Sequence, residues 1–141
     1  MKVFVDTWGW IAITDEHDSY HKEATRIYRT SVMIKGNIIV TSDFVLMETI
    51  SFLRLSLGHS RTIQWIKTLI DKSSKGLVQV VACDRLLWRK ALDLLEKYDD
   101  KTDISFVDFT AFVIMMQYDI LEVFSGDTHF EHVNLGFRLL K

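Results

Sequence analysis

Three observations predict an α/β fold with a mainly parallel sheet and helices on both faces. Short β-rich runs recur along the chain at VFV, IIVT, LVQVVA and LEVFS. Longer segments with apolar residues at helical spacing separate them. The composition, 48% hydrophobic and 26% charged, supplies enough apolar surface for a packed interior.

Val3 to Val5 opens the chain as a strand, bounded by Asp6-Thr7 and followed by a Trp/Ile/Ala pattern that reads as helix. From His17 to about Lys35, Tyr20, Ala24, Ile27 and Tyr28 recur at helical spacing, and Gly36-Asn37 ends that helix. Ile38 to Thr41 is the second strand. Ser42 or Asp43 can cap the next helix, which runs through Phe44, Val45, Glu48, Phe52 and Leu55 to a stop at Gly58. Between Ser60 and Lys75, Ile63, Ile66, Leu69 and Ile70 form one apolar stripe.

Leu77 to Ala82 reads as the third strand, and Asp84 precedes the amphipathic LLWRKALDLLEKY. After the polar loop DDKTD, ISFVDFTAFVIMMQY is a helix apolar nearly all round, LEVFS is a strand, and a last strand is expected at Phe137 to Leu140.

The length of 141 residues suits one domain spanning residues 1–141, and the absence of proline leaves no Pro-rich linker. The single cysteine, Cys83, permits no internal disulfide and suits a reducing compartment. MKVFVDTWGW is too short and too interrupted by acid for a secretory signal. The longest apolar stretch, Ile104 to Phe124, carries Asp108, Asp119 and Glu122, charges that disfavour a membrane span. A soluble, cytoplasmic protein is expected. Its net charge of −2 provides no overall basic field for collecting nucleic acid.

Four acids stand in apolar surroundings: Asp6 after VFV, Glu48 in FVLMETISFL, Asp108 in ISFVDFTAFVIMM, and Asp127 after LEVFSG. A buried ionised carboxylate must find a partner, shift its pKa or bind a cation. In a parallel sheet, ligands gather beyond the carboxyl ends of the strands, where Asp6 and Asp127 fall. Glu48 and Asp108 can lean toward the same edge from their helices. Brought together, the four form a hard-oxygen site suited to Mg²⁺ or Mn²⁺ and to metal-assisted phosphoryl chemistry.

Each acid also has a plainer reading. Asp6 can cap the following helix, and Ser105-x-x-Asp108 imitates a capping box. Asp127 can be a turn residue after Ser125-Gly126. Glu48 could face solvent if its helix has a polar face, which Thr49, Ser51, Arg54 and Ser56 only partly supply.

Taken in order, VDTWGWIA, TSDFVLMET, DISFVDFTAFVIM and FSGDTHF resemble the PIN-domain ribonucleases, most closely the VapC-like toxins of toxin–antitoxin pairs. The resemblance runs from residue 2 to about residue 137. It implies a three-layer α/β/α sandwich and a Mg²⁺- or Mn²⁺-dependent endoribonuclease. The catalytic and metal-binding acids would be Asp6, Glu48, Asp108 and Asp127, supported by the hydroxyls of Thr7 and Ser105. It further implies an RNA substrate, a cognate antitoxin and a homodimer. Asp103 is an additional nearby acid, and Trp8-Gly9-Trp10 is bulkier than the small residues expected after the first motif.

Other chemistries lack their motifs. No HExxH, zinc-type Cys/His spacing, P-loop or GxSxG elbow is present, and the five histidines are scattered in polar contexts that suggest solvation. An aspartyl phosphatase would need a second acid where Trp8 stands. Arg54, Arg61, Arg85 and Lys101 are candidate phosphate contacts, although surface solvation is the commoner role for such residues. The apolar face from Ile63 to Ile70 with Trp65, and the Trp8/Trp10 pair, could dock a partner or serve the core. Two alternatives to the toxin remain: a catalytically silent PIN-like binding module, and a housekeeping RNA-processing nuclease without an antitoxin.

Overall fold

A computed structural model describes residues 1–141. Its centre is a five-stranded, wholly parallel sheet in the order β3-β2-β1-β4-β5. The strands are β1 (Lys2–Val5), β2 (Ile38–Ser42), β3 (Val78–Val81), β4 (Glu122–Phe124) and β5 (Arg138–Leu139). Helices α1 (Thr7–Thr14) and α2 (His21–Tyr28) connect β1 to β2. Helices α3 (Asp43–Ser56) and α4 (His59–Ser74) connect β2 to β3, and α5 (Arg85–Lys97) and α6 (Phe106–Gln117) connect β3 to β4. A single turn, α7 (His129–His132), precedes β5.

Right-handed crossovers put α1 to α4 on one face, because β1, β2 and β3 progress in one direction across the sheet. The return from β3 to β4 reverses direction and puts α5 and α6 on the other face. The helix contacts agree: α1 packs on α2 and α3, α3 on α4, and α5 on α6. The expected three layers are therefore present. The reversal falls between β1 and β4, and their carboxyl ends open the crevice where such sheets bind ligands.

Strand burial explains the continuous apolar runs. Val3, Phe4, Val5, Val40 and Val123 have no exposed surface, as expected for strands covered on both sides. Helix α6, apolar nearly all round, buries seven consecutive residues from Phe109 to Met115. Phe112 packs edge-on against Phe130 of α7 at 5.1 Å between ring centroids. That contact anchors a four-residue helix whose mixed sequence gave no helical signal.

The segment expected to be one helix from His17 to Lys35 is shorter and compound. Turns occupy residues 15–20, α2 begins at His21, and a π-helical turn follows at Arg29–Met33. The ring of His21 explains part of this start, because its Nδ1 lies 2.8 Å from the Ala12 carbonyl and ties α2 back to α1. Of the two candidate caps of α3, Ser42 serves, accepting from Val45 N at 3.1 Å. Asp43 instead accepts from Cys83 N at 3.1 Å, joining α3 to the end of β3.

Glu48 requires a correction. It was expected in buried surroundings, but it is exposed, because α3 buries only Val45, Thr49 and Leu53. Its outer face carries Met47, Ser51, Phe52 and Leu55, the last of these 90% exposed. Apolar letters on a solvent face imitated a buried helix.

The Trp8-Gly9-Trp10 run has separate duties at each position. Trp10 is buried, donates its indole N–H to Thr41 Oγ1 at 3.1 Å and meets Trp65 edge-on at 5.7 Å. Thr41 in turn donates to the Val5 carbonyl at 3.0 Å, so this threonine braces β1 rather than the cleft. Gly9 lets α1 approach β4, since a Cβ there would lie 2.4 Å from the Phe124 carbonyl oxygen. Gly9→Ala should therefore destabilise the protein by about 1–3 kcal/mol through forced backbone displacement. A lowered urea midpoint at unchanged m-value is the expected reading.

Candidate metal-binding active site

Register positions the first acid. Val5 pairs with Phe124, so the next residues along each strand, Asp6 and Ser125, emerge side by side at the carboxyl edge. Ser125 donates to Asp6 Oδ2 at 2.6 Å, and Gly9 N donates to Asp6 Oδ1 at 2.9 Å. Asp6 is thus the N-cap of α1, as one reading of the sequence expected, and it faces the cleft as well. Only 5% of its surface is exposed. Burial, reinforced by the charges of Asp108 and Asp127, pushes its pKa up to about 7 against the opposing pull of its two hydrogen bonds.

Asp108 shows the same double use. Ser105 accepts from Asp108 N at 3.1 Å while Asp108 Oδ2 accepts from Ser105 N at 3.3 Å, so the capping box is real. The box fixes Asp108 on the first turn of α6, on the cleft side. Burial and then the neighbouring Asp127 raise its pKa.

Asp127 is partly exposed on the turn after β4, held by its own N–H to Ser125 Oγ at 2.9 Å. Ser125 therefore bridges Asp6 and Asp127 with one hydroxyl. Glu48 reaches the cleft from the exposed face of α3, where Thr7 Oγ1 donates to its Oε1 at 2.7 Å.

The resulting cleft of about 290 Å³ is lined by all four expected acids, by Thr7, Ser105 and Asp103, and by Trp8 and His129. No lysine or arginine lines it, so Arg54, Arg61, Arg85 and Lys101 stand outside. A cleft of similar size between α1, α2 and α4, bordered by Trp10, Tyr28 and Trp65, contains no acid.

His129 was expected to be solvated, and the structure corrects this. Its Nδ1 lies 3.0 Å from Asp127 Oδ1 and 3.3 Å from Asp108 Oδ2, and its Nε2 lies 3.0 Å from Asp103 Oδ2. Burial alone would lower its pKa, but Asp103, Asp127 and Asp108 together raise it, favouring the imidazolium that donates from both nitrogens. The same bond holds Asp103 below the usual carboxylate range. Ser125 and His129 both belong to SGDTH, directly after β4, and that position was the available signal for them.

The donor set suits a hard divalent cation. Asp108 and Asp127 each offer one carboxylate oxygen, within 4.8 Å of one another and of the His129 ring, with the buried Asp6 in the same cleft. A buried carboxylate that is half-protonated near neutrality is the state expected of an acid deprived of a compensating charge.

Comparison with known proteins agrees with this architecture. The chain matches the PIN domain over residues 3–135 and belongs to the PIN-domain family. Within that family it is VapC-like: it is 30% identical over 128 residues to the 23S rRNA-specific endonuclease VapC20 of Mycobacterium tuberculosis, covering 91% of each chain. The crystal structure of M. tuberculosis VapC20, described as a sarcin-ricin loop cleaving toxin, superposes with a TM-score of 0.81 at 26% identity. The match covers 94% of this chain and 95% of that one. DNA-bound VapBC from Salmonella typhimurium shares the fold at a TM-score of 0.65 and 18% identity, covering 99% and 96% of the two chains.

The shifted carboxyl of Asp6 dictates a pH dependence. Its pKa rises from 3.8 to about 7 on folding, so between those values the folded state binds more protons than the unfolded state. Stability contributed by this group is full below the lower value and is lost as pH rises toward the upper one. Chelator-treated protein should be more stable at pH 5 than at pH 7.5, by at most about 2.5 kcal/mol from this group. Urea titrations at the two pH values should show that difference, and Asp6→Asn should remove most of it.

Proposed function

We propose that this chain is a metal-dependent endoribonuclease that hydrolyses RNA phosphodiester bonds, acting as the toxin of a toxin–antitoxin pair. The observation that carries this reading is the meeting of Asp6, Glu48, Asp108 and Asp127 at one cleft beyond β1 and β4 in a VapC-like chain. Asp6 and Asp108 would be the principal metal ligands, Asp127 would contribute directly or through water, and Glu48 would position the attacking water or a second ion. Mg²⁺ or Mn²⁺, when bound, lowers the pKa of a coordinated water and offsets charge on the phosphoryl oxygens.

The chain's own residues do the positioning. Ser125 and Gly9 N orient the two oxygens of Asp6, so neither can rotate away from the cleft. The Ser105 capping box holds Asp108 on its turn. Thr7 holds Glu48, whose exposed side chain would otherwise sample many rotamers. His129 gathers Asp103, Asp108 and Asp127, reducing their mutual repulsion before a cation arrives.

The substrate class follows the relative, whose name specifies 23S rRNA as its target. The protein works in the cytoplasm as a single PIN-like domain, and it forms a homodimer by family analogy. A chain that cleaves its host's RNA needs restraint, which supports a cognate antitoxin. No helix is long and apolar enough to cross a membrane.

Asp6→Asn should abolish RNA cleavage while preserving the circular dichroism spectrum. Mg²⁺ should raise the melting temperature of the wild type and leave that of Asp6→Asn unchanged. Undiminished cleavage by the variant would falsify the assignment. Glu48→Gln, altering a more exposed and less constrained acid, should reduce kcat less than Asp108→Asn does under the same metal concentration.

A further inference from the structure

The cleft poses a problem for a protein that must hold RNA. It is lined by five carboxylates and by no lysine or arginine, and the whole chain carries a net charge of −2. Phosphate contacts normally supply most of the affinity for a nucleic acid. Within the cleft no cationic side chain supplies it, which leaves room for contacts that ignore charge.

Trp8 on the cleft wall, with Tyr20 packed against it, offers such contacts in aromatic form. Trp8 follows Thr7 in α1 and lines the cleft, with its indole laid over Gly126, beside Asp127. A Cβ at Gly126 would fall 2.2 Å from Trp8 Cζ2 and 2.4 Å from Cε2, so glycine is what allows the ring to lie there. Against Trp8 stands Tyr20, at a centroid distance of 5.4 Å and an interplanar angle of 47°. Tyr20 is the N-cap residue of α2, and its backbone N–H donates to Asp18 Oδ1 at 2.9 Å. The tyrosine is therefore fixed at its root and backed by the indole. Yet it is 57% exposed.

We propose that Tyr20, backed by Trp8, is a stacking platform for an unpaired base of the RNA flanking the scissile phosphate. This rests on the nuclease reading of the neighbouring acids and adds a substrate requirement to it. A base in a duplex has both faces covered by its neighbours, whereas a splayed base presents a free face to an aromatic ring. Stacking tolerates any base because each has a π face, so the platform selects single-stranded segments without selecting a sequence. The rigid ring also loses little conformational entropy on binding.

The test uses a fluorescein-labelled, non-self-pairing RNA decamer and the full chain carrying Asp6→Asn to prevent cleavage, with Mg²⁺ present. Adding Tyr20→Ala should weaken binding roughly five- to a hundredfold by anisotropy. Tyr20→Phe should bind within about twofold of the parent, since the π face survives. Neither change alters charge, so the slope of log K against log salt should stay constant. The same decamer annealed to its complement should bind more weakly and be indifferent to Tyr20→Ala. Equal urea midpoints establish that the exposed substitution leaves the fold intact.

Equal binding of the single strand by parent and Tyr20→Ala overturns the platform, as does an equal loss for single strand and duplex. If the wild type cleaves RNA and Tyr20→Ala cleaves it with the same KM, only the platform falls. If the wild type cleaves no RNA and the Asp6→Asn parent binds none, the nuclease reading falls and takes the platform with it.

Discussion

The carboxylate of Asp6 is the constraint around which this molecule is arranged. It sits at the carboxyl end of the central strand, on the side where the sheet order reverses, and almost none of it reaches solvent. A charge there is tolerable only with compensation. Two neutral donors, from Gly9 and Ser125, provide part of it, and the raised pKa measures what they leave undone. Nearby Asp108 and Asp127 aggravate the deficit, so the folded chain has an electrostatic demand that a divalent cation would meet.

The structural and functional readings of these acids turn out to be compatible. Asp6 caps α1 and Asp108 completes the capping box of α6. Helix caps fix a side chain to within a narrow range of rotamers, because the cap hydrogen bond is local and geometrically strict. Here that precision orients acids whose partners lie far away in the chain. The helices themselves enter from opposite faces, α1 from one and α6 from the other, which lets a single crevice receive ligands from both layers.

Much of this was legible in the letters, and the failures have physical reasons. Strands announced themselves because parallel strands buried on both sides read as continuous apolar runs, as in VFV and IIVT. Asp6 and Asp127 were identifiable because each follows such a run, and Asp108 because it interrupts the most apolar helix. Glu48 does line the cleft, but the burial expected of it was mistaken, since Met47, Phe52 and Leu55 decorate an exposed face. Ser125 acts on a residue 119 positions away, and His129 on acids 21 and 26 positions away. No local periodicity encodes such pairings. The short α7 was invisible because Phe130 owes its place to aromatic neighbours on other elements, and the π-helical turn after α2 has no pattern of its own.

The pairing of β1 with β4 has a consequence for biosynthesis. These neighbours lie far apart in the sequence, so the central strand remains half-unpaired until synthesis has passed β4. Up to that moment Asp6 has no Ser125 to orient it and no Asp127 beside it. The cleft is thus assembled only once β4 and the turn after it have joined the sheet.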